Sequence, residues 1–499
     1  MGRVIQVTAK QAGKDHNRHC KIWIPTHPRK TRKLRLGNSV KQCIKAVPRI
    51  AYLIQAHTRP PHYAHHGHTM ERRRFLKTAG LGSALLATPL SAPFTASEVS
   101  ATPTQTRRRP KIAFLGTVVR RHSHAQHFLD RHTLGYTWKG GWQKPRIDVA
   151  SVFVDQFPEE DLAKSRTKRH GLKLYPTIEE ALTLGGSKLA VDGVVLIGEH
   201  GDYPTNEKGQ HLYPRYDWFK KVVKVFEDSG RSVPVFNDKH LSTDWDECVE
   251  MVEDSRRLDF AFMAGSSLPV TRRMPAIDMP LGTPLQESVC VAYGGIDSYD
   301  IHALETAQCM SERRKGGETG VKRIHALRDE NLWKRLDAED CQTTRKLIVS
   351  ALTRSHNLPV KDGFPTASVS MDWLRTNMPK SIGYIVEHND GLRTTMLLTG
   401  IRDFNYAGMS KDGKLVSCQM YLPMPSHGST TADFFNPLAR HIETMMLEKK
   451  SPYPVERTLL TSGMVIGGVQ SLFDGEKPIT TPHLDITYSP TAESTFWND

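Results

Sequence analysis

A strand–helix–strand pattern over residues 191–242 most constrains how this chain can fold. Residues 191–198 form a continuous apolar run, which is typical of a strand buried on both faces. A second short strand is predicted at residues 233–236. The helix between them carries apolar residues at helical spacing, at Phe219, Val222, Val223 and Phe226. A strand, a crossover helix and a further strand require a parallel sheet, so the pattern predicts an α/β domain.

Polar residues follow both of these strands where each would end. Gly198 is followed by Glu199 and His200, and the second strand is followed by Asp238 and Lys239. Ligands of open parallel sheets bind outside the carboxyl ends of the strands. We therefore expect these residues to contribute to a binding or catalytic site.

An earlier strand and helix open the same domain. The strand begins at Lys111 and ends near Gly116, and Ser123 with Gln126 forms a capping box that starts a helix. The turn between them lacks the G-x-G-x-x-G fingerprint that lets a backbone approach a pyrophosphate closely. Arg120 in this turn either binds an anion beside the helix N-terminus or is a solvated loop charge.

Asp155 closes the next predicted strand, residues 147–154. In parallel sheets of this kind an acid at this position binds a ribose hydroxyl. The alternative is an ordinary turn aspartate. His122 and His124 have the spacing of a metal-binding pair, but no acidic third ligand stands nearby, so we predict loop or capping roles and no metal.

The pattern changes at about residue 270. A strand at 288–293 leads through two glycines into a helix that contains Asp300 and His302. Two hairpins, which turn at 389–391 and 411–414, predict an antiparallel sheet. The predicted fold is a Rossmann-like α/β domain, residues 102–269, followed by an α+β domain, residues 270–499.

This arrangement resembles the Gfo/Idh/MocA family of NAD(P)-dependent oxidoreductases, over roughly residues 111–481. Lys239 stands where the family carries the lysine of its E-K-P motif, with Asp238 and His240 as its neighbours. Gly294, Gly295 and His302 are similar to the family's G-G and D-x-x-x-H segment, although Ser298 stands where the acid of that segment is found. The missing glycine fingerprint is the largest departure.

The resemblance implies a bound NAD or NADP and a sugar or cyclitol substrate. It places Lys239 near the nicotinamide and the substrate hydroxyl. Oxidation of a hydroxyl requires a base for its proton, and His302, oriented by Asp300, is a candidate for that role. The cofactor-binding candidates are Gly116, Arg120, Ser123, Asp155, Gly198, Glu199, His200 and Asp238. A histidine at a helix start is otherwise a capping or packing residue.

Two other functions stay open. The chain could be a non-catalytic relative that keeps the scaffold and binds a carbohydrate or a protein partner, which the missing glycine turn favours. It could also be a cofactor-independent hydrolase or lyase that uses His200, Asp202, Lys239 and His302, although no nucleophile motif such as G-x-S-x-G is present.

The basic charge of the chain lies in its first 101 residues. These residues carry 18 basic and 3 acidic side chains, which accounts for the whole net charge of +15. The remaining residues are balanced, so the charge footprint of a nucleic-acid-binding protein is missing from the predicted domains. The five cysteines beyond residue 101 are scattered without a C-x-x-C pair, which argues against a disulfide framework or a structural zinc site.

Residues 70–101 read as an export signal. Arg72 to Lys77 resembles the twin-arginine motif R-R-x-F-L-K, with Glu71 where a serine or threonine usually stands, and a short apolar stretch follows. That stretch is too short to span a bilayer. We expect residues 1–69 to be a disordered or spurious upstream extension, and the mature protein to be periplasmic or extracellular in a bacterium. An exposed face of the antiparallel sheet would suit a homo-oligomer.

Overall fold

The computed structural model describes residues 2–9, 18–25, 108–358, 360–361, 364–365, 369–423 and 432–498. The chain divides into two units, Met1–Ala101 and Thr102–Asp499. In the first unit, β1 (Gly2–Ala9) and β2 (Arg18–Pro25) pair as an antiparallel hairpin. The predicted signal peptide, residues 70–101, lies outside the described residues, and its role stays a prediction.

The second unit begins with a six-stranded parallel sheet and its crossover helices. The strand order is β10-β9-β8-β3-β6-β7, which is the doubly wound order of a Rossmann-like domain. The α/β prediction is confirmed. The elements are β3 (Lys111–Val118), α1 (His124–Leu134), β4 (Tyr136–Trp138), β5 (Gly141–Gln143), β6 (Asp148–Gln156), α2 (Ala163–His170), β7 (Lys173–Tyr175), α3 (Ile178–Thr183), β8 (Gly193–Ile197), α4 (Arg215–Ser229), β9 (Val235–Asp238), α5 (Trp245–Arg257) and β10 (Phe262–Gly265).

The strand–helix–strand unit forms as its sequence pattern predicts. Every residue of β8 is buried, because helices cover both faces of the sheet. The apolar stripe of α4 packs on one face together with α3 and α5, and α1 packs on the other face with a later helix, Asn436–Glu448. Gly230 ends α4 in the left-handed conformation, with a φ of 63°.

An eight-stranded sheet forms the second half of the unit, in the order β11-β20-β19-β12-β18-β17-β14-β21. The predicted boundary at 269/270 falls between the two sheets. The elements are β11 (Arg273–Met274), β12 (Leu285–Tyr293), α6 (Asp300–Ser311), β13 (Glu318–Thr319), β14 (Val321–Arg328), α7 (Asp329–Asp337), α8 (Gln342–Leu352), β15 (Val360–Lys361), β16 (Phe364–Pro365), α9 (Met371–Asn377), β17 (Ile382–His388), β18 (Arg393–Thr399), β19 (Asn405–Ser410), β20 (Leu415–Met420), α10 (Asn436–Glu448), α11 (Glu456–Phe473), β21 (Ile479–Thr480) and β22 (Thr487–Tyr488).

Both predicted hairpins are present in this sheet. β17 pairs antiparallel with β18, and β19 pairs antiparallel with β20. The sheet as a whole is mixed, because β12 lies between the hairpins and runs parallel to β18. Turn signals specify the pairing inside each hairpin, but they carry no information about the strand that separates the two hairpins.

Helices of the same chain cover both faces of the eight-stranded sheet. α6 and α11 pack on the face toward the six-stranded sheet. The other face is covered by α7, α8 and α9, through Leu332, Trp333, Leu347 and Leu374. The homo-oligomer stays a prediction, but the exposed sheet face on which it was based is covered within the chain.

Three smaller predictions concern cysteines, metal ligands and membrane spans. The five cysteines from Cys248 to Cys418 are free and buried. Within the described ranges, His, Cys, Asp and Glu side chains form no group of three or more that could hold a metal ion. No helix in the part of the chain that the structure describes has the length and apolar character needed to cross a membrane.

Candidate functional site

Four segments meet at the carboxyl edge of the six-stranded sheet. They are the turn after β3, the loop 198–214 after β8, residues 239–242 after β9, and the segment 294–302 that leads into α6. Lys239 is central to this meeting point. Its Nζ lies 3.0 Å from Glu199 Oε1 and donates a hydrogen bond of 2.9 Å to the backbone oxygen of Ser298. A residue of the first sheet is thereby tied to the segment from the second.

The backbone around this edge is strained at four non-glycine residues. His122, His200, Lys239 and Asp297 have φ values of 67°, 69°, 65° and 63°. This left-handed conformation is unfavourable for residues with a Cβ atom, and such residues cluster at binding and catalytic sites. Each of the four segments contains or adjoins one of these residues, which makes this edge the candidate functional site.

Glu199 is a buried carboxylate between two cations. Its carboxylate accepts a hydrogen bond of 2.7 Å from Arg215 and pairs with Lys239. Burial opposes ionisation, but the charges of Lys239 and Arg215 outweigh it and hold the pKa of Glu199 well below its usual range. Gly198 makes room for this pair, because a Cβ there would lie 2.7 Å from Cγ of Arg215. Glu199 therefore stays ionised and holds Lys239 in place.

His302 lies in the first turn of α6, four residues after Ser298, whose backbone oxygen accepts the hydrogen bond from Lys239. Burial, together with the nearby charge of Lys239, places the pKa of His302 well below its usual range. The imidazole is therefore neutral at physiological pH. Its Nδ1 is buried and has no hydrogen-bond partner among the described residues. A neutral imidazole with an unpaired nitrogen can accept a proton, but a pKa this low makes His302 a weaker base than an exposed histidine.

Asp300 lies two residues before His302 but contacts other groups. Its carboxylate accepts hydrogen bonds from the backbone N–H of Asp297 at 3.0 Å and Ile301 at 2.8 Å, and from the hydroxyl of Tyr384 at 3.1 Å. Burial raises the pKa of Asp300 to about 7. These contacts stabilise the start of α6. None of them is with His302, so Asp300 does not hold the imidazole as predicted.

His124 joins the site from the start of α1. Its Nδ1 lies 2.6 Å from Oδ2 of Asp238, which is buried at the end of β9. The ring centroid of His124 lies 5.3 Å from that of His200 and 6.4 Å from that of His302. Burial lowers the pKa of His200 to about 3, against the opposing charge of Glu199. The spacing of His124 in the sequence indicated a loop or capping role, and only the strand order reveals its partner.

Most backbone N–H groups of the turn after β3 form hydrogen bonds within the turn itself. Ser123 caps α1, and its Oγ accepts hydrogen bonds from the backbone N–H of Gln126 at 3.2 Å and of Arg120 at 3.1 Å. The side chain of Gln126 accepts from the backbone N–H of His122 at 3.0 Å. Gly116 serves packing, because a Cβ there would lie 3.3 Å from that of Ala125. This turn therefore offers few free amides to a phosphate.

Two arginine side chains at the same turn, those of Arg120 and Arg121, are free to contact an anion. Arg120 is half-buried and Arg121 is exposed. Neither side chain forms a hydrogen bond or ion pair with any described residue. Two unpaired guanidinium groups beside a helix N-terminus can neutralise a phosphate without a glycine turn. The open alternatives for Arg120, an anion contact or a solvated charge, are both compatible with this position.

Asp155 lies farther along the same edge, on β6. Its Oδ2 accepts a hydrogen bond of 2.6 Å from the hydroxyl of Tyr203. Asp155 also borders an open cavity of about 590 Å³. The cavity is lined by Phe153, Val154, Asp155, Phe157, Leu174, Tyr175, Pro176, Thr177, Ile178, Glu179 and Lys221.

Several buried polar atoms near Lys239 lack a hydrogen-bond partner among the described residues. An unpaired buried polar group costs about 1–3 kcal/mol. These atoms are enclosed in the structure, so ordered water is the partner that would satisfy them. They are Asn237 Oδ1, Asp238 Oδ1, His200 Nδ1, His240 Nδ1, Asp297 Oδ1 and His302 Nδ1.

Most of the predicted site residues thus lie around one cluster. Gly198, Glu199, His200, Asp238, Lys239, Asp300 and His302 are brought together, with Gly116, Arg120 and Ser123 at the adjoining turn. Asp155 lies apart, at the cavity. Two contributors to the cluster were not predicted from the sequence. They are Arg215 and the pairing of His124 with Asp238.

These residues fit a dinucleotide in three respects. The cavity beside Asp155 offers aromatic and apolar walls next to a carboxylate, which suits an adenosine. Arg120 and Arg121 suit the charge of a pyrophosphate. The polar side chains near Lys239 suit a nicotinamide ribose and a hydroxyl-rich substrate. The engaged amides of the turn after β3 are the one feature that fits poorly.

Compared by sequence, the chain matches no protein-family model and no curated protein. Among solved structures it is similar to GenD2 from gentamicin A biosynthesis in complex with NAD, with 12% identity, 75% of this chain and 96% of that chain covered, and a TM-score of 0.46. It is also similar to a myo-inositol dehydrogenase from Lactobacillus casei in complex with NAD(H) and myo-inositol, with 10% identity, 78% and 100% covered, and a TM-score of 0.46. At this distance the likeness carries no argument about family, cofactor or substrate.

Proposed function

We propose that this chain is an NAD(P)-dependent oxidoreductase that oxidises a hydroxyl group of a sugar or cyclitol. One observation carries the proposal. Lys239 from the first sheet and the neutral His302 from α6 face one buried cluster at the carboxyl edge of a Rossmann-like sheet. The resemblance of the Lys239 and His302 segments to the Gfo/Idh/MocA family supports the same reaction.

The chemistry assigns separate roles to the two residues. When bound, the nicotinamide ring supplies the acceptor for the hydride that leaves the substrate carbon. His302 accepts the proton of the hydroxyl, so the substrate becomes a carbonyl compound. Lys239 donates a hydrogen bond to the oxygen and stabilises the negative charge that develops there. Glu199 keeps the ammonium group in position.

Other residues would hold the cofactor. Asp155 accepts hydrogen bonds from the adenosine ribose, and the aromatic side chains of the cavity pack against the adenine. Arg120 and Arg121 neutralise the pyrophosphate. Gly116, Gly198, His200 and Asp238 are the remaining candidates for contacts with the cofactor.

A non-catalytic scaffold is the second candidate. The observation that favours it is the turn after β3, where the side chains of Ser123 and Gln126 occupy amides that would otherwise face a pyrophosphate. A protein of this kind would use the same edge to bind a carbohydrate or a protein partner. It would bind neither NADH nor NADPH.

The nucleotide content of the purified protein separates the two candidates. The protein is denatured, and the released small molecules are identified by absorbance and mass. Protein without nucleotide is then titrated with NADH and with NADPH while their fluorescence is followed. Stoichiometric release or saturable binding supports the oxidoreductase. Empty protein that also fails to bind either nucleotide contradicts it and favours the scaffold.

We also propose that the protein is exported through the twin-arginine route with its cofactor tightly held. Free nicotinamide nucleotides are scarce outside the cytoplasm, so an exported dehydrogenase needs to retain its own. The support is the R-R-x-F-L-K pattern at Arg72 to Lys77. Replacing Arg72 and Arg73 together by lysine should leave the protein in the cytoplasmic fraction of an expressing bacterium. Unchanged export would contradict this route.

A further inference from the structure

The loop 198–214 reaches across the sheet edge to the end of β6. The hydroxyl of Tyr203 donates a hydrogen bond of 2.6 Å to Asp155 Oδ2. Beside it, the backbone N–H of Asp202 donates to the side-chain oxygen of Gln156 at 2.8 Å, and the Gln156 amide donates back to the Asp202 carbonyl at 3.0 Å. Three hydrogen bonds therefore connect this loop to the strand that carries the predicted ribose acid.

Hydrogen bonds and a ring contact fix the rest of the loop, and they thereby hold Tyr203 in place. The side-chain oxygen of Asn206 accepts hydrogen bonds of 3.0 Å from the backbone N–H groups of Lys208 and Gln210. The backbone N–H of His211 donates to Asp297 Oδ2 at 2.8 Å. The ring of Tyr203 packs edge-on against Tyr213, with 5.6 Å between centroids. The loop is thus supported both by its own turn and by the segment before α6.

Tyr203 contacts only one oxygen of Asp155. Oδ1 of Asp155 makes no hydrogen bond with a described residue. Asp155 forms part of the cavity wall and Tyr203 does not, so the hydroxyl reaches the carboxylate from outside the cavity. Burial and the bond to Asp155 both raise the pKa of Tyr203. The phenol therefore stays protonated and keeps donating its hydrogen bond.

We propose that Tyr203 is a positioning residue for nucleotide binding. It fixes the Asp155 carboxylate so that Oδ1 is free to accept the hydroxyls of the adenosine ribose. This inference rests on the proposed function, because it concerns the adenosine end of the same site. Without the hydrogen bond from Tyr203, the exposed carboxylate of Asp155 samples more rotamers. Binding of the ribose then costs more side-chain entropy.

A pair of matched probes tests this role. ADP carries the ribose hydroxyls, and 2′,3′-dideoxy-ADP lacks them, so calorimetric titration of both isolates the ribose contact. Tyr203→Phe should weaken ADP binding by about fivefold, the effect of one hydrogen bond, and leave dideoxy-ADP binding unchanged. Asp155→Asn should show the same selectivity.

Tyr216→Phe is the matched control. Tyr216 also donates to a carboxylate, that of Glu250, but this hydrogen bond joins α4 to α5 and does not involve the loop 198–214. This variant should bind both probes as the wild type does. Circular dichroism melting of each variant confirms that it is folded.

The outcomes separate the inference from the proposed function. If Tyr203→Phe weakens ADP and dideoxy-ADP equally, the role of Tyr203 is structural and the inference is overturned. If Tyr203→Phe binds ADP as the wild type does, the inference is overturned while the nucleotide site stands. If the wild type binds neither ADP, NADH nor NADPH, the proposed function falls and the inference falls with it.

Discussion

His124 Nδ1 lies 2.6 Å from Asp238 Oδ2, which joins the first turn of α1 to the end of β9. Because β8 lies between β3 and β9 in the sheet, this contact crosses the carboxyl end of β8. It closes the edge of the sheet at the point where Glu199 and His200 leave that strand. The pair therefore organises the site as well as the fold.

Removal of this contact should destabilise the protein. In His124→Ala the buried carboxylate of Asp238 loses its only hydrogen-bond partner among the described residues. We expect a loss of about 1–3 kcal/mol in the free energy of unfolding, the cost of an unsatisfied buried acceptor. Urea denaturation followed by fluorescence measures it. The double variant His124→Ala with Asp238→Ala should lose less than the sum of the single variants; additive losses would show that the two residues do not interact.

The buried histidines should make stability depend on pH. Burial lowers the pKa of His200 to about 3, and it also lowers the pKa values of His240 and His302. In the unfolded chain a histidine titrates near 6.5, so below about pH 6.5 the unfolded state binds more protons. Stability should be full above about pH 6.5 and fall as the pH drops toward about 3.

A variant separates this contribution from that of other groups. His200→Asn removes one histidine that must be protonated on unfolding. Its free energy of unfolding, measured by urea denaturation between about pH 7 and about pH 4, should fall less steeply with decreasing pH than that of the wild type. An identical slope would mean that His200 is not buried in its neutral form.

Local patterns predicted the two hairpins, the buried strand β8 and the apolar stripe of α4. Each of these depends on residues that are close in the chain, so the sequence carries the information directly. The same holds for Ser123, whose side chain caps α1 as the capping box predicts. Glu199, Asp238 and Lys239 were also predicted to lie at one edge of the sheet. That prediction depends only on the direction of the strands, because the carboxyl ends of parallel strands lie at the same edge.

Contacts between distant segments could not be predicted in this way. His124 and Asp238 are 114 residues apart, and their pairing depends on the order of strands in the sheet. Tyr203 reaches Asp155 through a long loop whose path no local signal describes. Asp300 was expected to orient His302, but its carboxylate turns back to cap the start of α6. The direction of a side chain at a helix start depends on the nearest free donors, which only the structure identifies.

The helices that cover the outer face of the eight-stranded sheet should be essential for folding. Trp333 on α7 is buried against this face, and its indole donates a hydrogen bond of 3.1 Å to the backbone oxygen of Pro379. Trp333→Ala should cost about 3–5 kcal/mol of unfolding free energy, because it leaves a large cavity and an unpaired carbonyl. Chemical denaturation measures the loss. A loss below about 1 kcal/mol would mean that α7 does not pack as described.

Lys239 and His302 should affect turnover far more than nucleotide binding. Lys239→Met removes the donor to the substrate oxygen, and His302→Asn removes the proton acceptor. With a sugar or cyclitol that reduces the bound cofactor, each should lower kcat by about a hundredfold or more. The affinity for NADH should change little, because neither residue is assigned to the nucleotide.

Lys224→Met is the control for the lysine variant. Lys224 lies on the outer side of α4, where it pairs with Asp228, and its loss should leave kcat unchanged. The pH dependence of kcat supplies a second criterion for His302. Because the pKa of His302 lies well below its usual range, the acidic limb that it would produce lies below about pH 6.5, and His302→Asn should lose that limb as well as the rate. A lower rate with an unchanged profile would assign the proton to another group, and His124, whose ring centroid lies 6.4 Å from that of His302, is one candidate.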